Sequence, residues 1–339
     1  MINEVSETGT LFDREMDRKG EIFVNSGSDA LYAALVGLNI SGKVVVPAYT
    51  YIATVNAILR ANCEPVFVDV GLDGLMGLDN ISKVVPGEDI TAVVYPTIGG
   101  NFPAQAEEIR HYCGNNDVKL IHDGAQSYGS TFYTGPGSEQ SRRSWGDIGI
   151  VSYDPTKVVG NMIGTGGGIF VRDPDLRAKI CSFVNQGYLN GHAGINSKMS
   201  RAARKIIDYN KAIHYEENHT ARRARVCEQY YHIPGSFFQE PGTYSNHSRA
   251  TFKFDNTSDR KWVQNFLKAK QIESKVYYQT PAYRYPQSEP FVNDINAFPK
   301  TDNLGLGALS IPLYPELTDK QIDRIVDAMS EAINIIRDK

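Results

Sequence analysis

The sequence has little of several features that mark particular protein classes. Its four cysteines lie far apart, and none forms a Cys-x-x-Cys pair or has a histidine at metal-ligand spacing. This spacing argues against a disulfide scaffold or a zinc site and is typical of reduced, buried thiols. No apolar run reaches the length of a membrane span, and Glu4, Glu7 and Asp13 occupy the place where a secretory signal needs an apolar core. We therefore expect a cytoplasmic protein with no metal and no membrane partner.

The sequence also has no large excess of positive or of negative charge. The 35 basic and 39 acidic residues are interleaved and leave a net charge of −4, which argues against a nucleic-acid partner. The most basic stretch, 201–225, also contains Asp208, Glu216 and Glu217, so we interpret it as a solvated helix face. With 41% hydrophobic and 22% charged residues, the 339-residue chain has a globular composition. That length suggests two domains, or one large domain with an appendage.

The first half of the chain alternates short β-branched runs with amphipathic patterns such as Ala30 to Leu38 and Ala104 to Cys113. The runs are apolar almost throughout, as in strands that are buried on both faces of a sheet. The pattern predicts an α/β fold with a mostly parallel seven-stranded sheet between helices. The predicted strands are Ile22 to Asn25, Lys43 to Pro47, Pro65 to Val70, Thr91 to Tyr95, Val118 to Asp123, Asp147 to Tyr153 and Gly168 to Arg172.

The second half has a different organisation. Turn-forming residues around Gly187 end the alternation, and a long polar helical pattern follows. Shorter strand and helix patterns then indicate a smaller α+β domain. We predict a large domain over 1–200, and a linking helix and small domain over 201–339. The predicted elements of the second half are a helix over Ser200 to Tyr231, a strand over Arg249 to Phe254, a helix over Ser258 to Lys270, a strand over Lys275 to Tyr278 and a helix over Thr318 to Ile336.

Polar residues follow several of the predicted strands, at the edge where α/β sheets bind ligands. After the first strand, Gly27, Ser28 and Asp29 occupy a helix start, where exposed N–H groups and the helix dipole favour an anion such as phosphate. A simple helix cap explains the same residues. Tyr51, after the second strand, offers an aromatic face for a planar ring, with core packing as the alternative.

A carboxylate and an amine follow two further strands. Asp123 could hold a cationic ring nitrogen, because an ion pair at ~3 Å and an effective dielectric of ~20 is worth about 5 kcal/mol, enough to keep a pyridinium protonated. An Asx-turn is the alternative. Lys157 follows a strand in a predicted buried region, where a lowered pKa would make it a competent Schiff-base amine. The alternative is a lysine that extends to solvent from a loop.

Seven segments in this order resemble one family, the DegT/DnrJ/EryC1/StrS sugar aminotransferases, which use pyridoxal phosphate and have the aspartate aminotransferase fold, fold type I. The resemblance covers residues 24 to about 335. Any one segment is weak evidence, and the shared order carries the argument. The segments are Ser26 to Leu31, Pro47 to Thr54, Pro65 to Asp69, Asp123 to Gly129, Gly146 to Lys157, Gly194 to Met199 and Ile311 to Leu317.

The resemblance implies a role for each matching residue. Lys157 matches the lysine that forms the internal aldimine, and Asp123 the carboxylate at the pyridine nitrogen. Gln126 matches the side chain near the phenolic oxygen. Asn196 matches an asparagine that reaches the phosphate of the neighbouring subunit, which implies a homodimer. The implied catalytic residues are Lys157 and Asp123, and the implied cofactor-binding residues are Gly27, Ser28, Asp29, Tyr51, Asp123, Gln126, Ser152, Lys157 and Asn196.

The implied activity is transfer of an amino group from glutamate or glutamine to a keto group of a nucleotide-linked sugar, in a ping-pong cycle. The family often has a histidine where this chain has Ile98, His-Tyr in place of Tyr277-Tyr278, and a longer leader before Leu11. These departures concern the acceptor pocket, so a cyclitol or another small ketone remains an alternative acceptor. Dehydratases of the family have histidine in place of Lys157. A non-catalytic sensor normally needs a fused DNA-reading module, for which we expect no room before Ile22.

Overall fold

A seven-stranded sheet forms the centre of the protein in a computed structural model that describes residues 20–87, 89–130, 145–188, 193–234, 236–237 and 245–338. The strand order is β1-β7-β6-β5-β4-β2-β3. The pairs from β3 to β6 are parallel, and β7 runs antiparallel to both of its neighbours. The predicted α/β fold with a mostly parallel sheet is confirmed. The strands are β1 (Glu21–Val24), β2 (Lys43–Pro47), β3 (Glu64–Val68), β4 (Ile90–Pro96), β5 (Lys119–Asp123), β6 (Ile148–Ser152) and β7 (Gly167–Phe170).

Helices cover both faces of this sheet. In β2, Val44 and Val46 belong to one apolar cluster, and Val45 between them belongs to another. Successive side chains of a strand point to opposite faces, so the continuous apolar runs reflect burial on both sides. The helices of this half are α1 (Gly27–Gly37), α2 (Ile52–Arg60), α3 (Leu78–Ser82), α4 (Ala106–Asn115) and α5 (Pro174–Val184). The sequence patterns did not predict α3 and α5.

The second half contains a three-stranded antiparallel sheet in the order β10-β9-β8. Its apolar cluster combines this sheet with the helices around it, and Phe252, Leu267 and Met329 are fully buried there. The elements are α6 (Arg201–Glu216), α7 (His219–Tyr230), β8 (Ser236–Phe237), β9 (Ala250–Lys253), α8 (Thr257–Ala269), α9 (Pro299–Gly307), β10 (Ala308–Ile311) and α10 (Asp319–Arg337).

Two expectations for this half were wrong. The predicted helix over Ser200 to Tyr231 is two helices, because the backbone of Asn218 adopts a left-handed conformation with φ of 49°. The side chain of Asn218 then caps α7 by accepting a hydrogen bond from the backbone N–H of Ala221. The predicted strand over Lys275 to Tyr278 is a single bridge between Lys275 and Ser310.

The chain returns to the large sheet after residue 281. The N–H of Ala282 donates to the carbonyl of Ala48 at 2.9 Å, and the Asp69 carboxylate accepts from both the N–H and the hydroxyl of Thr301. Phe298 joins an apolar cluster of the large sheet. Residues of the predicted small domain therefore complete the core of the first half, and the division at residue 200 stays a prediction. No helix in the described ranges is long and apolar enough to cross a membrane. All four cysteines are buried thiols.

Candidate active site

The carboxyl ends of β2, β4, β5 and β6 open onto a cavity of about 670 Å³, a volume typical of small-molecule sites. A second wall comes from Arg249 and the segment 275–280. The fold therefore brings together most of the residues that the sequence singled out. Those that line the cavity are Gly27, Ser28, Tyr51, Asp123, Gln126, Ser152 and Lys157, whereas Asp29 and Asn196 do not line it.

One end of the cavity is the start of α1. Ser26 caps this helix, with its hydroxyl accepting from the N–H of Asp29 at 3.1 Å. The backbone of Gly27 lies so close to Ser152 that a Cβ at residue 27 would be 2.9 Å from the Ser152 Cβ. The first-turn N–H groups of a helix have no partner within the helix, and the dipole makes this end positive. This glycine-lined end could hold a phosphate.

Asp29 and Asn196 lie outside the cavity of their own chain. The Asp29 carboxylate pairs with Arg60 and accepts from the Ser197 hydroxyl, each at 2.7 Å. Asp29 therefore ties α1 to the segment that carries Asn196. The side chain of Asn196 is exposed, and its backbone carbonyl accepts from Asn25. Cofactor contacts from these two residues stay predictions.

Asp123, the last residue of β5, is buried in the cavity wall. Its Oδ2 accepts from the Thr54 hydroxyl at 3.0 Å, and its Oδ1 from the N–H of Ala125 at 3.1 Å. Burial raises the pKa of this carboxyl group, and the two hydrogen bonds and the Lys157 charge oppose the shift. A buried carboxylate is costly unless it is paired, so the site suits a ligand with a cationic group at this point.

His122 precedes Asp123 and points away from the cavity into the core. Its Nε2 lies 3.0 Å from the Thr97 hydroxyl, which donates to Ser127 at 2.6 Å. Burial lowers the pKa of His122 to about 3. The imidazole is therefore neutral at physiological pH and adds no charge behind Asp123.

Lys157 lies in the loop that follows β6. Its N–H donates to the carbonyl of Asp154 at 2.9 Å, and the Asp154 carboxylate accepts from the N–H and the hydroxyl of Thr156. This hydrogen-bonded turn fixes the backbone from which the amine reaches the cavity. Burial first, and then the charge of Arg249, lowers the pKa of Lys157. A lowered pKa gives the amine more of the neutral, nucleophilic form near pH 7.

Gln126 joins the two walls of the cavity. Its Oε1 accepts from the N–H of Gly99 at 2.9 Å, and its Nε2 donates to the Tyr278 hydroxyl at 2.6 Å. The Tyr278 ring lies 5.9 Å from the ring of Tyr51, which is 57% exposed. Tyr51 thus offers a solvated aromatic face at the edge of the cavity, as a ring-stacking residue requires.

Sequence reasoning missed Thr54 and the cationic wall. Arg249 and Lys275 line the cavity beside Tyr277, with the Arg249 Cζ 3.3 Å from the centre of the Tyr277 ring. The sequence placed Arg249 at the start of a strand, and this is close to the structure, in which β9 begins at Ala250. No local pattern indicated that this strand end faces Lys157. Ile98, Tyr277 and Tyr278, where the chain departs from the family pattern, also line the cavity.

The donor set fits pyridoxal phosphate. The cavity combines the buried carboxylate of Asp123, which suits a ring cation, with the half-buried amine of Lys157, whose pKa is lowered. It also contains a helix start at which Gly27 has no Cβ to contact Ser152. Within an α/β fold whose strand ends surround them, these groups define a pyridoxal-phosphate-dependent enzyme of fold type I. Lys157 could attach the cofactor, Asp123 could pair with its ring nitrogen and the start of α1 could hold its phosphate.

Comparison with known proteins identifies the family. The model of the DegT/DnrJ/EryC1/StrS aminotransferase family matches residues 5–330, and the chain belongs to this family. The chain is 28% identical over 317 residues to a UDP-N-acetyl-3-dehydro-alpha-D-glucosamine 3-aminotransferase of Acidithiobacillus ferrooxidans, covering 91% of this chain and 83% of the relative. It is 25% identical to a dTDP-3-amino-3,4,6-trideoxy-alpha-D-glucose transaminase of Streptomyces venezuelae, covering 91% of this chain and 81% of that protein.

The fold is also that of solved aminotransferase structures. The crystal structure of S. venezuelae DesV in complex with a ketimine intermediate superposes with a TM-score of 0.82, covering 95% of this chain and 87% of that one at 24% identity. At this identity the likeness establishes the fold. The family match and this shared fold together identify the protein as a pyridoxal-phosphate-dependent aminotransferase.

Proposed function

We propose that the protein transfers the amino group of an amino acid, glutamate or glutamine, to the keto group of a nucleotide-linked sugar. The observation that carries this proposal is the meeting of the Lys157 amine, the Asp123 carboxylate and the start of α1 around one cavity. Membership of an aminotransferase family supports the reaction type. Two relatives whose names specify UDP-linked and dTDP-linked amino sugars support the class of acceptor.

Pyridoxal phosphate, when bound, supplies the electron sink for the negative charge left when a substrate carbon loses its proton. We assign Asp123 to stabilise the proton on the ring nitrogen, because its buried carboxylate gains most from an opposite charge. Gly27, Ser28 and Ser152 would bind the phosphate. Tyr51 would stack on the ring, and the second amide N–H of Gln126 would be free to donate to the ring oxygen.

Lys157 has two tasks in this proposal. Its amine would hold the cofactor until the amino donor displaces it. Once released, the Lys157 Nζ would accept the proton from the donor carbon and return it as general base and then general acid. The lowered pKa of Lys157 suits the first transfer, since only the neutral amine accepts a proton. In a ping-pong cycle, water would supply the keto oxygen of the departing keto acid, and the sugar ketone would then take the amino group and lose its own oxygen as water.

We also propose a two-fold homodimer in which each Asn196 binds the phosphate in the neighbouring subunit. Asn196 is exposed and does not line the cavity of its own chain. The Ser197 hydroxyl next to it is held by Asp29 on α1. In a two-fold contact the same segment of each chain would reach the other site, so both sites would be shared.

A groove next to the cavity offers space for a nucleotide-linked acceptor. It has a volume of about 830 Å³, and apart from Thr156 it is lined by residues of the second half of the chain. Thr156, Arg249, Lys275 and Tyr277 line both the groove and the cavity. A keto sugar at Lys157 could therefore extend its nucleotide along this groove.

Amine transfer from each donor tests the proposal. The cofactor-loaded protein is mixed with glutamate or glutamine, release of the keto acid is measured, and 3-keto and 4-keto UDP-linked and dTDP-linked sugars are then added. Formation of an amino sugar is expected, with Lys157→Ala inactive. Amination of a cyclitol ketone alone would change the acceptor class, and elimination of water from the sugar without a donor would indicate a dehydratase. An unchanged cofactor spectrum with all common amino donors would favour a sensor.

A further inference from the structure

Asn246 lies in the segment that leads into β9, and it is fully buried. It is not part of the cavity wall that the described residues form. Its side chain reaches the loop after β5, where Nδ2 donates to the carbonyls of Gln126 and Tyr128, each at 2.9 Å. Both N–H groups of the amide therefore have acceptors in the loop that carries Gln126.

Two further contacts fix the orientation of the Asn246 amide. Its Oδ1 accepts from the N–H of Ser248 at 3.0 Å, and the backbone N–H of Asn246 donates to the Ser130 hydroxyl at 2.9 Å. That hydroxyl donates in turn to the carbonyl of Gly100 at 2.7 Å. Exchange of the amide oxygen and nitrogen would place an acceptor against two carbonyls, so only one orientation is stable. Asn246 thus joins the segment before β9 to the loops that follow β4 and β5.

The turn after β4 is shaped to receive this amide. Gly100 has a φ of +87°, and a Cβ at this position would overlap with Oδ1 of Asn246. A residue with a side chain at position 100 would therefore displace Asn246 and would also adopt a strained backbone. The preceding residue, Gly99, donates its N–H to Oε1 of Gln126 at 2.9 Å. The same turn therefore contacts both Asn246 and the Gln126 side chain.

Gln126 is held at both ends by these contacts. Asn246 binds its backbone carbonyl, while Gly99 and the Tyr278 hydroxyl bind its side-chain amide. One amide N–H of Gln126 is left, since the other donates to Tyr278. The backbone position and the two side-chain contacts together set the direction of this N–H. Precision matters here, because a misplacement of about 1 Å in a positioned group can cost on the order of a hundredfold in rate.

We propose that Asn246 is a positioning residue that acts through Gln126, by directing the remaining amide N–H of Gln126 at the ring oxygen of pyridoxal phosphate. This inference rests on the role proposed for Gln126 above. The alternative is a purely structural role, in which the hydrogen bonds of Asn246 stabilise the fold and do not affect the cofactor. The two roles differ once the Gln126 side chain is removed, because the carbonyl that Asn246 binds belongs to the backbone and remains.

A double-mutant cycle distinguishes the two roles. Pyridoxal phosphate is titrated into the cofactor-free wild type, Asn246→Leu, Gln126→Met and the double variant, and the absorbance maximum of the bound cofactor is recorded. We expect each single variant to raise the dissociation constant about tenfold, the effect of one lost or misdirected hydrogen bond. The double variant should bind within about twofold of Gln126→Met, because the group that Asn246 directs is already absent. Both single variants should shift the absorbance maximum in the same direction.

Thermal stability provides the reference for a structural effect. Asn246→Leu leaves two carbonyls without their donor, so it should lower the Tm equally with and without the Gln126 side chain. Thr301→Val is the matched control, because Thr301 is also buried and its hydroxyl donates to Asp69 at 2.7 Å. It should lower the Tm and leave the affinity and absorbance of the cofactor unchanged. Asn246→Ser keeps one hydroxyl donor and should give intermediate values, which keeps the test decisive if Asn246→Leu does not fold.

Three results would overturn the inference. Independent effects, with the double variant about a hundredfold weaker than the wild type, would assign Asn246 a structural role. Unchanged affinity and absorbance in Asn246→Leu would do the same, and an unchanged Gln126→Met would leave Asn246 with no group to direct at the cofactor. Amino-group transfer is measured separately. A non-additive cycle in a protein that releases no keto acid from glutamate or glutamine would retain the positioning role and refute the proposed reaction.

Discussion

Replacing Asp123 by asparagine tests the electrostatic basis of the site. A carboxylate ~3 Å from a cationic ring nitrogen, at an effective dielectric of ~20, contributes about 5 kcal/mol. At about 1.4 kcal/mol per decade this corresponds to roughly three to four decades in rate. The amide also matches the site poorly, because Asp123 accepts hydrogen bonds on both oxygens, from Thr54 and from Ala125. We expect Asp123→Asn to retain the cofactor but to lose at least about a thousandfold in the limiting rate of its conversion by glutamate.

The assay is single-turnover conversion of the bound cofactor by glutamate, followed by absorbance at saturating donor. Thr54→Val serves as a graded control, because it removes one hydrogen bond to Asp123 and leaves the charge in place. We expect it to cost about tenfold, the effect of one hydrogen bond to a charged group. A single-turnover rate within a few-fold of the wild type in Asp123→Asn would show that the carboxylate does not face the ring nitrogen.

Three further predictions follow from contacts of single residues. Gly27→Ala should weaken pyridoxal phosphate at least tenfold in a fluorescence titration of the cofactor-free protein, because its Cβ would lie 2.9 Å from that of Ser152; Gly114→Ala, with nothing within 4 Å, should not change the affinity. His122 has a pKa of about 3 in the folded state, so the unfolded chain binds one more proton between there and about pH 6.5, and stability should fall by about 1.4 kcal/mol per pH unit as the pH drops through this window. His122→Gln should reduce that slope in denaturant melts at pH 5 and pH 7, and an equal slope would contradict the burial argument. Because burial lowers the pKa of Lys157, Lys157→Met should raise the Tm of the cofactor-free protein, while borohydride should attach no cofactor at that position; a lower Tm, or cofactor trapped on another lysine, would contradict this.

The large sheet was predictable from the sequence because its strands have a strong local signal. Nearly every residue of β2 and β4 is apolar, as expected for strands that are buried on both faces of a sheet. In the small sheet only β9 gave such a signal, as the predicted strand from Arg249 to Phe254. The extended run from Lys275 to Tyr278 matches a strand locally, yet only Lys275 has a pairing partner, Ser310. Pairing depends on what the rest of the chain places alongside, and a local pattern does not contain this information.

The residues of the candidate site differ in the same way: those at the strand ends of the large sheet could be predicted, and those of the opposite wall could not. Asp123 and Ser152 end two parallel strands, and Lys157 lies in the loop after the second of them. The topology of the sheet alone brings such strand ends to one edge. The opposite wall is not local to any strand end of that sheet. The hydrogen bond between Gln126 and Tyr278 joins residues 152 positions apart, so neither spacing nor periodicity could predict it. Arg249 was missed for this reason.

The return of the chain to the large sheet has a consequence for biosynthesis. The last strand of that sheet ends at Phe170, yet Tyr283, Phe298 and Leu304 fill its two apolar clusters. During translation the sheet therefore leaves the ribosome with part of its apolar surface exposed. This surface stays exposed until the residues that cover it, near the end of the chain, have also emerged. Nascent chains that stall in this interval would be natural clients for chaperones and prone to aggregate.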